Sequence, residues 1–479
     1  MLGRSGNLTQ QTIRSQPICA ITVLKQTNGI GGLSRLNMNS LLSVIIATVF
    51  FTFIGFPISC LLGKITQIER LGLSLLLGVG LGTYCWFILY LLGMPFTLTS
   101  LFISGLILIL IGLVIVKLKR KSLVTVRLPV FLPLERFLVY IIILVLLIAF
   151  IIASYNAITA WDSLALYDFR AHAIVLNHDL RDITASSYYL SYPLLVSLLH
   201  AAVYFLGGVN AQGMHTVIFA GFLAIVFGRV YALTNLRYAL VAVCLNIFSY
   251  ELLMHSTIAY ANLPYTILLV SGFLHLVSGH KKAISDHLIV GSILIGLSTW
   301  VRSTEVFWII GFILIIWQAL QSRNIRLSVV PSMLILLLYS IWHFYHAALV
   351  AILAEPPLVM PAFFSRTTLN LILHNLNKIR EYFMLYVFYP YLGLWIVSLG
   401  LLPASFKLKS FPIKGLTFVI FASLAVTVLG ISIFSTYFPT WFQIGDSATR
   451  MLMFLIPTIT VAGTTALFGI SHRGYNEKN

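Results

Sequence analysis

The residues that could do chemistry stand in short polar stretches between long apolar runs. The first stretch reads WDSLALYDFRAH at residues 161–172, and its first acid, Asp162, comes soon after an apolar run. A carboxylate against an apolar, partly dehydrated wall has a raised pKa and can act as a general base. Asp162 and Asp168 are six residues apart, so on one helix they would face roughly opposite directions rather than form a carboxylate pair. Solvated acids that cap helices are the alternative interpretation.

Four other stretches carry polar side chains that could bind a substrate. Each of them stands at the end of an apolar run, on the side of the membrane where we place Asp162. They contain Tyr192 in YYLSYP (188–193), His255, Tyr260 and Asn262 in HSTIAYANLP (255–264), Arg302 and Glu305 in WVRSTE (300–305), and Arg450 in GDSATR (445–450). We therefore predict that these side chains converge on one cavity.

The elements that must position these residues are membrane-spanning helices. The chain has 59% hydrophobic residues, 9% charged residues and a mean hydropathy of +0.98, whereas a soluble domain carries about 25% charged residues. Apolar runs of about 18 residues or more are typical of helices that cross a bilayer. The runs lack the period-two alternation that marks a β-barrel. We predict an all-α, polytopic transmembrane protein.

The apolar runs predict about 13 spans. They are Ser40 to Leu62, Leu71 to Gly93, Thr99 to Val116, Phe137 to Ser154, Met214 to Leu233, Tyr238 to Leu253, Leu263 to Val277, Leu288 to Trp300, Val306 to Leu320, Leu327 to Val350, Tyr382 to Leu402, Leu416 to Phe434, and Met451 to Ile470. A further run, Tyr192 to Leu206, has only about 15 residues and fits an interfacial or re-entrant helix better than a span.

The charges predict the orientation of these spans. If Tyr192 to Leu206 does not cross, most of the 30 Lys and Arg residues fall in one set of short loops, as is typical of the cytoplasmic face. This places the N-terminus outside and the C-terminus in the cytoplasm, in a plasma membrane. The opposite, extracytoplasmic face carries most of the 13 acids and two sizeable loops, about Tyr155 to Gly213, with short interfacial helices, and about Ala351 to Glu381. The net charge of +17 thus reflects orientation, and no nucleic-acid partner is predicted.

We divide the chain into three parts. Residues 1–37 are polar and are predicted to form a disordered tail, and Met38, which directly precedes the first apolar run, is an alternative start of the protein. Residues 38–136 are predicted to form a three-helix N-terminal membrane unit, and residues 137–479 hold every polar stretch described above. The four cysteines are scattered, so neither a disulfide framework nor a zinc site is predicted.

The order of the polar stretches resembles that of a known group of enzymes. Trp-Asp and Tyr-Asp at residues 161–168, Ser-Tyr-Pro-Leu at 191–194, the run at 255–264, Arg-x-x-Glu at 302–305 and Gly-Asp-x-x-x-Arg at 445–450 are similar to the pattern of bacterial GT-C-fold glycosyltransferases. These are relatives of the protein mannosyltransferases and of the lipid A aminoarabinose transferase. The resemblance covers about Phe137 to Ile470 and implies a GT-C-like fold preceded by an added three-helix unit.

The resemblance implies transfer of a hexose- or pentose-type sugar from a polyprenyl-phosphate donor, in the making of a cell-envelope glycan. The acceptor would be a glycan, lipid or protein outside the cytoplasm. Asp162 matches the family's first-loop acid, the base on the acceptor hydroxyl. Arg450 and Arg302 would suit the donor phosphate, since a guanidinium group matches phosphate oxygens bidentately. The other residues expected to bind substrate are Asp168, His172, Tyr192, His255, Tyr260, Asn262 and Glu305.

One position departs from the family pattern. Many relatives carry a second acid, which can help to hold a metal ion, where this chain has Asn262. Because Asn262 is not a hard anionic ligand, we predict no cofactor and do not expect dependence on a divalent metal. The chain also lacks a G-x-x-x-x-G-K-[ST] loop, so a nucleotide-sugar donor has no evident cradle, whereas an isoprenoid could lie between the helices.

Other functions remain open on the sequence. An O-antigen polymerase or ligase shares many spans and a large outer loop, although such enzymes rely more on outer arginines. A transporter or flippase would place polar or broken-helix elements near mid-membrane in two related halves. A non-catalytic scaffold would not need Asp162.

Some polar or small residues are interpreted as packing rather than as sites. Gly78, Gly80 and Gly82 indicate close helix packing rather than a phosphate loop. His200 and His215 are interpreted as hydrogen-bonded packing residues within apolar surroundings. These interpretations leave the first outer loop and the span ends as the predicted functional region.

Overall fold

The structure is a computed structural model that describes most of the chain. The described residues are 30–63, 65–119, 125–126, 130–180, 183, 192–278, 284–303, 305–352, 366–408, 410–437 and 447–476. Within them the chain is almost entirely helical, so the predicted all-α class is confirmed. Two short strands, β1 (Ile65–Thr66) and β2 (Thr125–Val126), pair in parallel.

The helices follow one another with short connections. The first part of the chain forms α1 Ile30–Ser59, α2 Gln67–Leu91, α3 Leu98–Leu118, α4 Pro133–Tyr155, the π-helix π1 Ser163–Asp168, α5 Phe169–Asn177, α6 Leu195–Phe205, α7 Gly213–Leu233, α8 Leu236–Ile247 and α9 Tyr250–Ser256. The second part forms α10 Asn262–Val277, α11 Ile284–Thr299, α12 Trp308–Gln321, α13 Arg326–Ile352, α14 Arg366–His374, α15 Leu376–Phe383, the π-helix π2 Met384–Phe388, α16 Leu392–Leu408, α17 Phe411–Tyr437, α18 Ser447–Met451 and α19 Leu455–Asn476.

Seven of the described helices are long and apolar enough to cross a membrane. These are α1, α2, α3, α4, α7, α13 and α17. The apolar helices α6, α8, α10, α11, α12 and α19 are shorter than a span, so the total of 13 spans stays a prediction. The short length of α6 agrees with the expectation that Tyr192 to Leu206 does not cross. The chain has the make-up of a multi-pass membrane protein.

The structure differs from the sequence predictions at three places. The span predicted over Tyr238 to Leu253 is broken between α8 and α9. The span predicted over Tyr382 to Leu402 is bent by 88°, next to Pro390, which has no N–H to continue a helix. Helix α1 begins at Ile30, so residues 30–37 of the predicted disordered tail are helical, while residues 1–29 lie outside the described part.

Glycines allow the first helices to pack closely against one another and against α7. A Cβ atom at Gly78 would overlap the carbonyl oxygen of Phe51 in α1, and a Cβ at Gly72 would overlap that of Gly221 in α7. At Gly80 the added atom would press on Leu297 of α11. Close approach of helix backbones is a common use of small residues in membranes, so the packing interpretation of this glycine series is confirmed.

Ion pairs join different helices at one end of the bundle, which we call the Glu69 end. At the start of α2, Glu69 pairs with Arg229 near the end of α7, with 2.8 Å between Oε2 and Nη2. The other pairs of this end are Lys119 with Asp286 at 3.0 Å and Glu135 with Arg237 at 3.7 Å. Glu135 begins α4, whereas Asp162 follows the other end of that helix. We call the opposite end of the bundle the Asp162 end.

Candidate functional site

Asp162 lies beside Arg450 at the Asp162 end. It directly precedes π1, and 43% of its side chain is exposed. Its Oδ2 atom lies 3.5 Å from Nη1 of Arg450. The guanidinium carbon of Arg450 lies 5.4 Å from the ring centroid of Tyr260, which is a cation–π contact. Three residues from stretches that are far apart in the sequence therefore meet.

Arg450 is positioned through the bend at Pro390. It belongs to the short helix α18, whose Thr449 contacts both sides of the bend. The hydroxyl of Tyr391 donates to the carbonyl oxygen of Thr449 at 2.7 Å, and the hydroxyl of Thr449 donates to the carbonyl oxygen of Tyr386 at 2.6 Å. The bend that replaces the predicted straight span thus fixes the helix that carries Arg450.

Asp168 faces the interior, where it joins a chain of polar side chains. The hydroxyl of Tyr204 donates to its Oδ1 atom, and Nδ1 of His200 lies 3.2 Å from the same oxygen. On the other side, Nε2 of His172 lies 3.5 Å from Oδ2. Deeper inside, Nε2 of His200 lies 3.3 Å from Nε2 of His215. The chain ties π1 and α5 to the buried helix α6 and to the start of α7.

These partners keep Asp168 charged. Burial alone would raise the pKa of its carboxyl group, but the hydrogen bonds from His172 and His200 and the charges of these imidazoles lower the pKa well below its usual value. Only 6% of the residue is exposed, whereas 53% of the His172 side chain is exposed. The predicted contact of Asp168 with a substrate therefore stays a prediction, and its visible task is to hold the helix that follows Asp162.

Arg170 fixes the same segment from inside. It is fully buried, and its Nε donates to Oγ of Ser197 at 2.9 Å. Its Nη1 and Nη2 atoms donate to the carbonyl oxygens of Tyr192 and Pro193 at 2.7 and 3.3 Å. Hydrogen bonds from a charged donor are stronger than neutral ones, so Arg170 locks the turn before α6 against α5.

Arg302 and Glu305 form a buried ion pair next to Tyr192, with 2.5 Å between Nε and Oε1. The guanidinium carbon of Arg302 lies 5.1 Å from the ring centroid of Tyr192, and Nη2 donates to the hydroxyl of that tyrosine at 3.4 Å. Burial alone would lower the pKa of Arg302, but the charge of Glu305 raises it above its usual value. Arg302 therefore remains a cation with a partner of opposite charge.

Tyr167 connects the Asp162 group to the Arg302 group. Its ring centroid lies 6.2 Å from that of Tyr192. The pKa of Tyr167 is raised, first by burial; Arg302 lowers it and Asp162 raises it further. Because both charges act on one phenol, the two groups adjoin, as the predicted cavity requires.

His255 and Asn262 stand on the other side of Tyr260. His255 is buried, its Nε2 lies 3.9 Å from Oε2 of Glu251, and its ring centroid lies 5.8 Å from that of Tyr260. Asn262 is the first residue of α10 and is also buried. Glu251 begins α9 with 30% of its side chain exposed, so it belongs to the same polar region.

The described site residues thus lie together at one end, but the sequence did not reveal how they connect. Gly445 and Asp446, which precede Arg450 in the sixfold motif, lie outside the described residues. Arg170 and Tyr204 were not singled out, although Arg170 stands in the first polar stretch. His200 and His215 are hydrogen-bonded, as predicted, but their link to Asp168 became visible only in three dimensions.

The described side chains do not fit a divalent metal of the kind that some relatives of the resembling family hold. Among them, no group of three or more His, Cys, Asp or Glu residues is arranged to hold a metal ion. Asn262 could offer only a neutral amide oxygen, and hard cations prefer carboxylates. We derive no step through a metal.

Known proteins add no assignment to this geometry. Comparison of the chain with protein-family models, with curated proteins and with solved structures finds no match. The functional argument therefore rests on the residues themselves.

Proposed function

We propose that this chain is a membrane glycosyltransferase that moves a sugar from a polyprenyl-phosphate donor to an acceptor hydroxyl. The observation that supports this most is the contact of Asp162 with Arg450, a part-exposed carboxylate 3.5 Å from a guanidinium group. Sugar transfer from a phosphate carrier needs a base and a phosphate ligand close together. The motif order that resembles GT-C-fold glycosyltransferases agrees with this pairing.

The proposed reaction gives each group one task. The acceptor oxygen attacks the anomeric carbon, while the bond from that carbon to the donor phosphate oxygen breaks and its electron pair goes to the phosphate. Asp162 takes the hydroxyl proton as general base. Arg450 binds the phosphate through charge-assisted hydrogen bonds and stabilises the charge that develops on it. A single displacement of this kind inverts the anomeric configuration.

Of the two arginines expected to bind phosphate, Arg450 suits the role better. Arg302 is already neutralised by Glu305, and both residues are buried. An incoming phosphate there would meet the Glu305 carboxylate, and like charges at close range repel. Arg302 is therefore assigned to holding Tyr192, which borders Tyr167 beside Asp162.

We further propose a GT-C-like fold with about 13 spans in a plasma membrane, with the Asp162 end outside the cytoplasm. Lysines and arginines are concentrated in the loops of the Glu69 end, which supports that end as the cytoplasmic one. The isoprenoid tail would lie between helices, and its phosphate would reach Arg450 at the membrane surface. The acceptor would be a glycan, lipid or protein.

The test is a transfer assay with the purified full chain in lipid nanodiscs. Polyprenyl-phosphate sugars are offered together with envelope extracts as acceptors, and release of free polyprenyl phosphate is measured. We expect Asp162→Asn to lower the rate by about 10²- to 10⁴-fold, because it removes the proton acceptor with little change in shape. Asp179→Asn, which removes the same charge beyond the end of α5, is the matched control and should keep the wild-type rate.

Thermal unfolding of each variant in detergent shows whether it is folded. Retained transfer by folded Asp162→Asn protein would exclude Asp162 as the base. If the wild-type chain releases polyprenyl phosphate from no such donor, the glycosyltransferase assignment itself is wrong.

A further inference from the structure

The contact between Asp162 and Arg450 sets the two proposed roles against each other. A carboxylate beside a guanidinium group is held in its charged form and is a weaker base. In the same way, an arginine that faces a carboxylate offers fewer donors to a phosphate. In the arrangement seen here, with 3.5 Å between Oδ2 and Nη1, each group therefore occupies part of the other.

We propose that the donor phosphate takes the place of Asp162 on Arg450, so that the base is released only after the donor has bound. The order of binding is then fixed, with the donor first and the acceptor hydroxyl second. This inference rests on the proposed function, because it takes Arg450 as the ligand of the donor phosphate.

The surroundings allow this exchange without a large rearrangement. Arg450 keeps its contact with the ring of Tyr260 at 5.4 Å, and Thr449 holds its helix through main-chain oxygens. The guanidinium group can therefore stay in place while the carboxylate turns away. The side chain of Arg450 is 18% exposed and that of Asp162 is 43% exposed, so a phosphate at the surface can reach both.

The backbone of Asp162 has no need to move either. The rest of its helix is fixed by the buried carboxylate of Asp168 and by the buried guanidinium group of Arg170. A rotation of the Asp162 side chain is then enough to leave Arg450. A part-exposed ion pair contributes little net free energy, so the exchange of carboxylate for phosphate costs little.

A double-mutant cycle on donor-phosphate binding tests the exchange. The dissociation constant of polyprenyl phosphate is measured in nanodiscs at low ionic strength for the wild-type chain, Asp162→Asn, Arg450→Ala and the double variant. We expect Asp162→Asn to tighten binding by about 2- to 5-fold, the range that an exposed pair supplies. In the Arg450→Ala background the same change should have no effect. Asp179→Asn is the control for charge alone and should bind as the wild type does.

The other outcomes are distinct. Equal tightening in both backgrounds would mean simple repulsion between Asp162 and the phosphate, and weaker binding by Asp162→Asn would mean that Arg450 bridges both groups; either result overturns the exchange. If Arg450→Ala binds polyprenyl phosphate as tightly as the wild-type chain does, the donor site itself is misplaced, and the proposed role of Arg450 falls together with the exchange.

Discussion

The two ends of this molecule use charge in different ways. At the Glu69 end, acids pair with bases on other helices, and Glu69 and Arg229 are both buried. At the Asp162 end, Arg302 pairs with a residue only three positions away, and the carboxylate of Asp162 stays part-exposed. The first arrangement joins helices, whereas the second surrounds a group that other molecules can reach.

The difference teaches that burial of charge alone does not mark a functional site in a membrane protein. Ionisable residues within spans are functional candidates by default, and by that rule Glu69 would rank above Asp162. Its partner Arg229, however, saturates it between α2 and α7. Exposure, contact with several chain segments and a partner suited to phosphate distinguish Asp162 instead.

Removing one partner of the Glu69 pair should give the largest loss of stability. Arg229→Ala leaves a buried carboxylate without its counter-charge, and we expect the free energy of unfolding to fall by about 3–5 kcal/mol. Denaturant titration in detergent micelles measures this loss. Replacing both partners, by Glu69→Leu with Arg229→Met, should recover most of it, because an apolar pair needs no counter-charge. A double variant as unstable as Arg229→Ala would show that the pair is more than a helix contact.

Asp168→Asn should have an intermediate effect. The amide keeps the shape of the side chain but loses the charge that faces His172 and His200, so we expect a loss of about 1–3 kcal/mol. The same titration measures it, with Asp179→Asn as control. A fall in sugar transfer beyond what the lost stability explains would instead support the predicted contact of Asp168 with substrate.

The pH dependence sharpens the Asp168 prediction. Since the pKa of Asp168 is lowered in the folded chain, its stabilising contribution is complete above the usual pKa of an aspartate. It is lost as the pH falls from that value towards the lowered one. In acid the thermal unfolding temperatures of the wild-type chain and of Asp168→Asn should therefore converge, and a constant difference between them would contradict the charged network.

Breaking the pair of Lys119 and Asp286 should have the smallest effect. The side chain of Lys119 is 34% exposed, and exposed pairs contribute about 0–1 kcal/mol. We expect Lys119→Met to lower the free energy of unfolding by less than about 1 kcal/mol in the same assay. A loss as large as that of Arg229→Ala would remove the distinction between buried and exposed pairs at the Glu69 end.

Hydropathy predicted the helices well where they are long and continuous. The seven membrane-length helices all coincide with predicted spans, because a run of apolar residues is itself the physical requirement for crossing a bilayer. Interruptions were missed, since averaging over a window hides them. Pro390 was a visible signal for the bend, whereas the break after Ile247 has neither proline nor glycine and depends on tertiary packing.

The candidate site could be predicted as a set of residues but not as a set of contacts. Sidedness of the charges was enough to group Asp162 with Arg450, because both follow from which loops share a face. Their pairing depends on where the bend places α18. The network of Asp168 was beyond sequence reasoning for another reason, namely that His200 looks like any imidazole in an apolar run.

The contact of Gly72 with Gly221 bears on where this chain can be cut. The boundary before Phe137 suggests that the first three helices could be removed, leaving a shorter enzyme. Yet the backbone of α2 lies directly on α7 at these glycines. A truncated chain would present to lipid a furrow shaped for a helix backbone, with the carboxylate that matches Arg229 missing. For expression or for domain exchange, the molecule has to be treated as indivisible.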